Sequence, residues 1–337
     1  QRAGSRLPDA FADAVADAVR QLEHATGLRW GGTRRPLLVS VRSGATVSMP
    51  GMMDTLLNVG LTDETLPALI RMTGNPRHAW DSYRRLIQSY AEVVHHVSGD
   101  RFERLLDEQL AATQAPGVNE LDTSGLRTLA ERYRECFAEL VGEPFPQEPA
   151  TQLRAAIEAV LRSWGSSRAV EFRRLHRLDD LAGTAVTVQA MVFGNMGGTS
   201  GSGVSFTRDP ATGAKRLYLD FARNAQGEDV VSGRCVLHDA TGLEFAMPHL
   251  YEELVRIGTQ LERMFGDMQD FEFTVQEGRL YLLQARHGKR TPLAALRIAC
   301  DLVEEGLLDS DEALNRLAEY DLENITDVRL AAADQAP

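Results

Sequence analysis

Apolar residues in the first half of the chain recur mainly at helical spacing. Near the start they predict an amphipathic helix over residues 9–24, because apolar side chains lie three or four positions apart at Phe11, Val15, Val19 and Leu22. A short apolar run at 37–41 predicts a buried strand that leads into a loop rich in Gly, Ser and Pro. Residues 63–178 predict a series of helices, with a looser section at 114–124.

The apolar period changes to two near Gly183, which predicts a strand-rich region. Its strands are expected at 184–193, 203–208, 216–221, 270–276 and 280–285. A helical pattern returns at Thr291-Pro292, a capping residue before a proline, and stops at Gly306. A further short helix is expected from 309. This order of elements predicts an α+β fold and not a regular alternation of strands and helices.

Residues 270–286 predict a β-hairpin with one apolar and one polar face. In the first strand, Phe271, Phe273 and Val275 point to one side of the sheet, because successive side chains of a strand alternate between its faces. The opposite face carries the four polar residues of this strand, which are Asp270, Glu272, Thr274 and Gln276.

The length of the turn decides which residues of the second strand join each face. A two-residue turn at Glu277-Gly278 would place Gln284 beside Phe271 and mix the faces. A three-residue loop, with Gly278 in the left-handed conformation, would place Gln284 and Arg286 on the polar face. Under that register the apolar face gains Tyr281 and Leu283. The pattern therefore predicts the three-residue loop.

The polar face of this hairpin is the strongest candidate for chemistry. Two carboxylates, Asp270 and Glu272, would lie beside the amide oxygen of Gln284 and the guanidinium of Arg286. Oxygen ligands of this kind suit Mg²⁺ bound to nucleotide phosphates, and an arginine suits the phosphates themselves. The alternative is a solvated sheet face that carries a salt bridge.

Three other segments are candidates for nucleotide contacts. Residues 194–203 contain five glycines, which allow backbone N–H groups to approach phosphate oxygens, but a flexible hairpin loop has the same composition. Arg42 follows the 37–41 strand and could clamp a phosphate, or it could simply mark the exit from the strand. Residues 224–229 offer polar groups for a ribose, or an ordinary turn.

Composition and charge narrow the classes of function. The chain has 337 residues, a net charge of −12 and no apolar run near the ~20 residues of a membrane span. The acidic balance argues against nucleic acid or a membrane surface as a partner. Three scattered cysteines give neither a disulfide framework nor a zinc spacing, so a cytoplasmic location is expected. The His95-His96 pair is interpreted as structural and not as a metal site.

Several segments together resemble the nucleotide-binding region of the pyruvate phosphate dikinase family. They are 38–45 (LVSVRSGA), 48–55 (SMPGMMDT), 80–85 (WDSYRR), 188–197 (VQAMVFGNMG), 206–210 (FTRDP), 224–231 (NAQGEDVV) and 289–291 (KRT). The resemblance runs through essentially the whole chain. It implies an ATP-grasp fold, in which ATP lies between two α+β lobes, with a helical subdomain inserted.

The resemblance also implies a division of the chain and a set of site residues. The expected segments are a first lobe with the phosphate-binding loop (1–110), a helical subdomain (111–180), a second lobe with the metal-binding hairpin (181–290) and C-terminal helices (291–337). The implied ATP-binding residues are Arg42, Gly51, Met53, Asp54, Gln189, Met191, Ser202, Gly203, Glu228 and Asp270. Gln189 and Met191 would lie at the adenine, Ser202 at a phosphate and Glu228 at the ribose. Glu272 and Gln284 would bind Mg²⁺, and Arg42 and Arg286 would be catalytic.

The chain also departs from the family pattern. Gly198 and Thr199 stand where the family commonly has two aspartates, and His287 replaces a usual asparagine. A family lysine segment that contacts the ATP phosphates would precede Gln1, so we expect the natural protein to begin earlier. The sequence shows no segment of the type that carries a phosphohistidine, and no barrel domain for pyruvate.

The expected function is therefore an ATP- and Mg²⁺-dependent phosphotransferase module that transfers a phosphoryl or pyrophosphoryl group to a histidine domain in trans. Two alternatives stay open. One is a stand-alone kinase that phosphorylates a small molecule in specialised metabolism. The other is an inactive, nucleotide-binding regulatory protein. The altered residues Gly198 and Thr199 favour these alternatives mildly.

Overall fold

The computed structural model describes residues 9–44, 47, 49, 51–231, 237–318 and 320. Helices and strands are both abundant in this part of the chain, which confirms the α+β class. The chain divides into two compact units, unit 1 (Gln1–Met191) and unit 2 (Val192–Pro337). Within the described ranges, no helix combines the length and the apolar character that crossing a membrane requires.

Unit 1 is mainly helical. Its helices are α1 (Asp9–Thr26), α2 (Thr65–Thr73), α3 (Pro76–His95), α4 (Asp100–Thr113), α5 (Thr123–Val141), α6 (Pro149–Ser163) and α7 (Ser167–Leu175), with a short 3₁₀ helix at Val118–Glu120. Its strands are β1 (Arg29–Trp30), β2 (Pro36–Leu37), β3 (Val39–Gly44), β4 (Thr55–Val59) and β5 (Ala185–Ala190). The helix predicted at 9–24 and the looser section at 114–124 are confirmed.

The main sheet of unit 1 has three antiparallel strands in the order β4-β3-β5. Helix α3 packs against β4, and α6 packs against β3, β4 and β5. Val41 and Leu56 are fully buried between these layers. The apolar run at 37–41 is not a single strand as predicted, because Leu37 pairs with Trp30 of β1, and β3 begins only at Val39.

Unit 2 is built around a four-stranded antiparallel sheet in the order β7-β6-β8-β9. The strands are β6 (Gly201–Phe206), β7 (Tyr218–Arg223), β8 (Gln269–Gln276) and β9 (Arg279–His287). The helices are α8 (Gly227–Val231), α9 (Ala240–Ala246), α10 (Pro248–Phe265), α11 (Pro292–Glu304) and α12 (Ser310–Leu317). The two C-terminal helices begin where the sequence predicts, after the caps Thr291 and Asp309.

One face of this sheet forms the main core of unit 2. Phe221, Phe271 and Phe273 pack there against leucines of α9 and α10, such as Leu243 and Leu254. The opposite face is covered in part by α8, because Val230 packs with Ala225, Ala222 and Val204. The β8–β9 end of that opposite face carries the polar residues that the sequence singles out.

The division at residues 191/192 differs from the boundary predicted at 180/181. Strand β5 pairs with β3 over six residues, from Val39↔Ala190 to Gly44↔Ala185, and therefore belongs to the sheet of unit 1.

In unit 2, strands β6 and β7 each begin two residues from their predicted starts. Gly201 and Gly203 belong to β6. Their lack of a side chain leaves room for aromatic rings, because a Cβ would lie 2.3 Å from Phe221 at Gly201 and 2.5 Å from Phe273 at Gly203. The finer four-part division stays a prediction.

Candidate functional site

The β8–β9 hairpin closes with a two-residue turn. Gln276 pairs directly with Arg279, and the two residues between them, Glu277 and Gly278, have φ values of 50° and 79°. Positive φ at both positions is the geometry of the turn that matches the twist of a two-stranded ribbon. The positive φ predicted for Gly278 is confirmed. The predicted three-residue loop is wrong.

A β-bulge in the second strand restores the alternation that the turn alone would break. Phe273 pairs with Leu282 and Glu272 pairs with Gln284, so Leu283 is an extra residue in β9. Beyond the bulge, Asp270 pairs with Arg286. The four polar side chains therefore share one face, as predicted, although the extra residue lies in the strand and not in the turn.

The bulge also changes which residues of β9 join the apolar face. Tyr281 pairs with Thr274 and lies on the polar side of the sheet, so its predicted place with the phenylalanines is wrong. The predicted place of Leu283 on the apolar face is also wrong, because Leu283 is the bulge residue. The residues of β9 that pack against the core cluster are Leu280 and Ala285.

Arg286 connects both carboxylates of the polar face. Its Nε donates a hydrogen bond to Asp270 Oδ2 at 2.9 Å, and its Nη2 donates to Glu272 Oε1 at 2.7 Å. The three side chains are between 18% and 26% exposed, so the cluster is open to a ligand from solvent. Gln284 is exposed and lies opposite Glu272 in the ladder.

Burial raises the pKa of Asp270 above its ordinary value, although the guanidinium of Arg286 lowers it. The neighbouring charge of Glu272 adds to the increase. A second carboxylate close by therefore makes negative charge costly at this face. A bound cation would offset that cost.

The donor set of this face fits Mg²⁺ in a nucleotide complex. In the described part of the chain, no group of three or more His, Cys, Asp or Glu side chains is placed to hold a metal. The face offers instead two carboxylates, Asp270 and Glu272, and the amide of Gln284. Mg²⁺ typically binds one or two carboxylates and takes its other ligands from phosphates and water, so this smaller set is suitable.

Ser202 and Gly203 lie on opposite faces of β6. The Ser202 side chain is buried, and its hydroxyl is 3.2 Å from the Thr274 hydroxyl. Ser202 shares the face of Glu272, because Val204, two residues along, pairs directly with Glu272. Gly203 belongs to the core face and lies against Phe273.

Glu228 lies on the same side of the sheet as the carboxylates. It is an exposed residue of α8, and α8 packs on β6 and β7 over that face. The segment 224–229 begins with a turn, as one of its two interpretations proposed: Asn224 has a φ of 49°, and Asp229 Oδ2 accepts a hydrogen bond from the Gln226 N–H at 3.0 Å.

The glycine-rich segment is not a hairpin loop. Strand β5 pairs with β3, whereas β6 pairs with β7 and β8, so residues 194–200 connect two different sheets. The segment is tied to its surroundings by hydrogen bonds, such as that from Gly197 N–H to Asn224 Oδ1 at 2.9 Å. Gly198 and Thr199, the residues that depart from the family pattern, are exposed.

In unit 1, the sheet brings Arg42 and Gln189 to one face. Arg42 pairs with Thr187, and Gln189, two residues further along β5, pairs with Ser40. The two predicted site residues are thus diagonal neighbours on adjacent strands. Met191 follows β5, and its N–H donates to Leu38 O at 2.9 Å.

Met53 and Asp54 contact residues that are distant in sequence, since Ser163 Oγ lies 3.8 Å from Met53 Sδ. The Asp54 N–H donates to Ser163 Oγ at 3.2 Å, and the Asp54 carboxylate forms an ion pair with Arg168 of α7. These partners are more than 100 positions away in sequence, so no local pattern could indicate them. Gly51 has a φ of 70°. Residues 45, 46, 48 and 50 of the predicted phosphate loop lie outside the described residues.

Comparison with known proteins identifies similar sequences over almost the entire chain. The family model "Pyruvate phosphate dikinase, AMP/ATP-binding domain" matches residues 3–244 and 236–306. The pyruvate, phosphate dikinase of Clostridium symbiosum is 48% identical over 326 residues, which are 96% of this chain and 37% of that protein. That of Rhizobium meliloti (strain 1021) is 45% identical over 334 residues, again 96% and 37%. Pyruvate, phosphate dikinase 2 of Zea mays is 46% identical over 314 residues, which are 93% of this chain and 35% of that protein. The chain thus spans little more than a third of the length of these relatives.

Proposed function

Because the chain belongs to the family of pyruvate phosphate dikinase AMP/ATP-binding domains, we propose that it is an ATP-grasp phosphotransferase module that binds ATP with Mg²⁺. The family membership confirms the resemblance found in the sequence and agrees with the expected nucleotide. The assignment of roles to individual residues is our proposal.

The observation that carries the proposal is the Arg286 bridge between two carboxylates on the open end of a sheet. Glu272 and Gln284 would hold Mg²⁺, with Asp270 beside them at the nucleotide. Mg²⁺ supplies charge neutralisation of the phosphates in such reactions. Arg286 already holds its guanidinium between Asp270 and Glu272, so little reordering is needed for it to face a phosphoryl oxygen.

Arg42 is proposed as a second phosphate ligand in unit 1. It lies on one face of the sheet with Gln189, which with Met191 would contact the adenine. The ion pair with Arg168 supports a role for Asp54 in shaping the segment that begins at Gly51, beside any contact with the nucleotide. In unit 2, Ser202 is proposed at a phosphate and Glu228 at the ribose, whereas Gly203 lies on the core face of β6.

The acceptor is proposed to be a histidine domain in trans. The support is the family, whose named members above are pyruvate, phosphate dikinases that extend well beyond the 37% or less of their length matched here. A small-molecule kinase is the second candidate, favoured by the exposed Gly198 and Thr199 in place of aspartates. Transfer from radiolabelled ATP to a purified phosphohistidine domain would support the first candidate.

We expect ATP to protect the fold only when a divalent metal is present. Asp270 and Glu272 repel a bare triphosphate, and saturation at 100 times the dissociation constant should add about 2.7 kcal/mol to the free energy of unfolding. The measurement is a thermal-shift series with ATP alone, ATP with Mg²⁺, and ATP with EDTA. Equal shifts in all three would contradict the metal assignment.

Matched variants locate this effect. Glu272→Ala should abolish the additional shift caused by Mg²⁺. The control is Glu244→Ala, which removes an exposed carboxylate from α9, on the other side of the sheet. The control should retain the full shift. A normal Mg²⁺-dependent shift in Glu272→Ala would show that the metal binds elsewhere.

A further inference from the structure

The glycine-rich segment 194–200 is fixed on one side by the tip of the β8–β9 hairpin. The Phe193 N–H donates to Gln276 Oε1 at 2.9 Å. The Glu277 N–H donates to Ser200 Oγ at 2.9 Å. The Gly278 N–H donates to the carbonyl of Thr199, also at 2.9 Å. Three consecutive hairpin residues therefore hold both ends of the segment.

The turn that follows β7 holds the segment from another side. Asn224 accepts from the Gly197 N–H through Oδ1 at 2.9 Å and donates its own N–H to Ser200 O at 2.8 Å. Gln226 Nε2 donates to Asn195 Oδ1 at 3.3 Å. This turn leads directly into α8 and Glu228, so the hydrogen bonds join three parts of unit 2.

Three of the anchoring side chains are buried, and the middle of the segment is exposed. Ser200 is fully buried, and Asn195 and Gln226 are at most 4% exposed. A Cβ on Gly194 would lie 2.2 Å from the Ala225 carbonyl, so only glycine fits this approach. Gly198 and Thr199 face solvent. Hydrogen bonds that are wholly or partly shielded from water are strengthened by the lower local dielectric, so the segment presents its exposed middle in a defined conformation.

We propose that Ser200 and Gln276 are positioning residues that hold residues 197–199 in place for the β- and γ-phosphates of ATP. We call these two residues, with the N–H groups of Glu277 and Gly278, the clasp. The inference rests on the proposed function. The inference deepens the proposed function because the hairpin that forms the clasp also carries Glu272 and Gln284. Mg²⁺ bridges the β- and γ-phosphates in such sites. The clasp thus fixes phosphate loop and metal ligands relative to each other before the nucleotide binds.

Two variants remove the clasp from opposite ends. Gln276→Met keeps the size of the side chain but removes the acceptor for Phe193. Ser200→Ala removes the acceptor for Glu277. The matched control is Ser205→Ala, a buried serine of β6 whose hydroxyl lies near the Tyr218 and Phe206 carbonyls at 3.3 and 3.4 Å. The two clasp variants are independent, so the test stands if one of them does not fold.

The readout is the affinity of the full chain for ATP and for AMP, each with Mg²⁺, by titration calorimetry. Each clasp variant should weaken ATP binding about fivefold to tenfold, the change expected for one net hydrogen bond. The affinity for AMP should stay within about twofold of that of the unmodified chain. Ser205→Ala should change neither affinity by more than about twofold. An equal loss for ATP and AMP, or no loss for ATP, would overturn the proposal, because a general weakening of the fold affects both nucleotides.

Hydrogen exchange without nucleotide separates the clasp from the proposed function. The Phe193 amide should exchange faster in Gln276→Met, and the Glu277 amide faster in Ser200→Ala. Unchanged exchange at both amides would overturn the clasp even if ATP binds the unmodified chain. Failure of the unmodified chain to bind either nucleotide would overturn the proposed function, and with it the phosphate-positioning role.

Discussion

At the scale of single residues, Gly203 shows how a predicted ligand-binding residue can have a packing role. The sequence places it in a glycine-rich phosphate loop. In the structure it lies inside β6, where a Cβ would meet the Phe273 ring at 2.5 Å and the Asp220 carbonyl at 2.8 Å. The absence of a side chain therefore lets the aromatic core approach the sheet backbone.

We expect Gly203→Ala to destabilise unit 2 by about 1–3 kcal/mol, the usual cost of overpacking a core. Gly227→Ala is the control, because a Cβ there would meet no atom within 4 Å and the residue opens α8. Chemical denaturation with both variants measures the difference. If Gly203→Ala is as stable as the control but loses nucleotide binding, the glycine serves the ligand and not the core.

At the scale of elements, the β8–β9 hairpin separates what alternation can predict from what it cannot. The polar face of Asp270, Glu272, Gln284 and Arg286 follows from counting residues, because side chains alternate strictly along a strand. Either one extra residue in the turn or one extra residue in β9 places Gln284 on the polar face. The choice between them depends on the strain at Glu277 and on packing around Leu283, which the sequence pattern does not contain.

The turn itself is open to a stabilising change. Glu277 is exposed and adopts a φ of 50°, which is unfavourable for glutamate and far less so for asparagine. Glu277→Asn creates the preferred Asn-Gly turn and should stabilise the chain by about 0.5–1 kcal/mol. Glu277→Gln removes the same charge without this preference and should have no effect on the midpoint of thermal unfolding. A stabilisation of equal size in both variants would point to charge and not to turn geometry.

At the scale of the whole molecule, the sequence predicts the α+β class and the position of most elements, but not the contacts between distant segments. The pairing of β5 with β3 moves the division of the chain to residues 191/192, and it joins strands about 150 positions apart. The Ser163 and Arg168 contacts with Asp54 have the same character. They arise from tertiary packing, which neither apolar periodicity nor turn composition encodes.

Buried ion pairs in both units link the stability of the molecule to pH. Burial alone would raise the pKa of Asp81 in unit 1, but Arg84 and Arg85 hold it well below its usual range. At Asp267 in unit 2, burial again raises the pKa, but the hydrogen bonds and charge of Arg290 lower it below its ordinary value. A carboxyl group whose pKa is lowered by folding stabilises the folded chain at pH values above its pKa in the unfolded chain, which is about 3.9. This contribution is lost as the pH falls through the pKa of the folded chain.

Asp81→Asn should therefore cost about 3–5 kcal/mol at pH 7, because it leaves the buried Arg84 and its neighbour Arg85 without their carboxylate. The cost should stay constant down to pH 5. At pH 3 it should be smaller by about 1 kcal/mol, since the unfolded chain then binds a proton at Asp81 that the folded chain excludes. Urea denaturation from pH 7 to pH 3 measures this difference. Asp107→Asn, an exposed carboxylate of α4, is the control and should change stability by less than about 0.5 kcal/mol. A cost for Asp81→Asn that does not change with pH would mean that the Asp81 carboxyl does not titrate differently in the folded and unfolded chains.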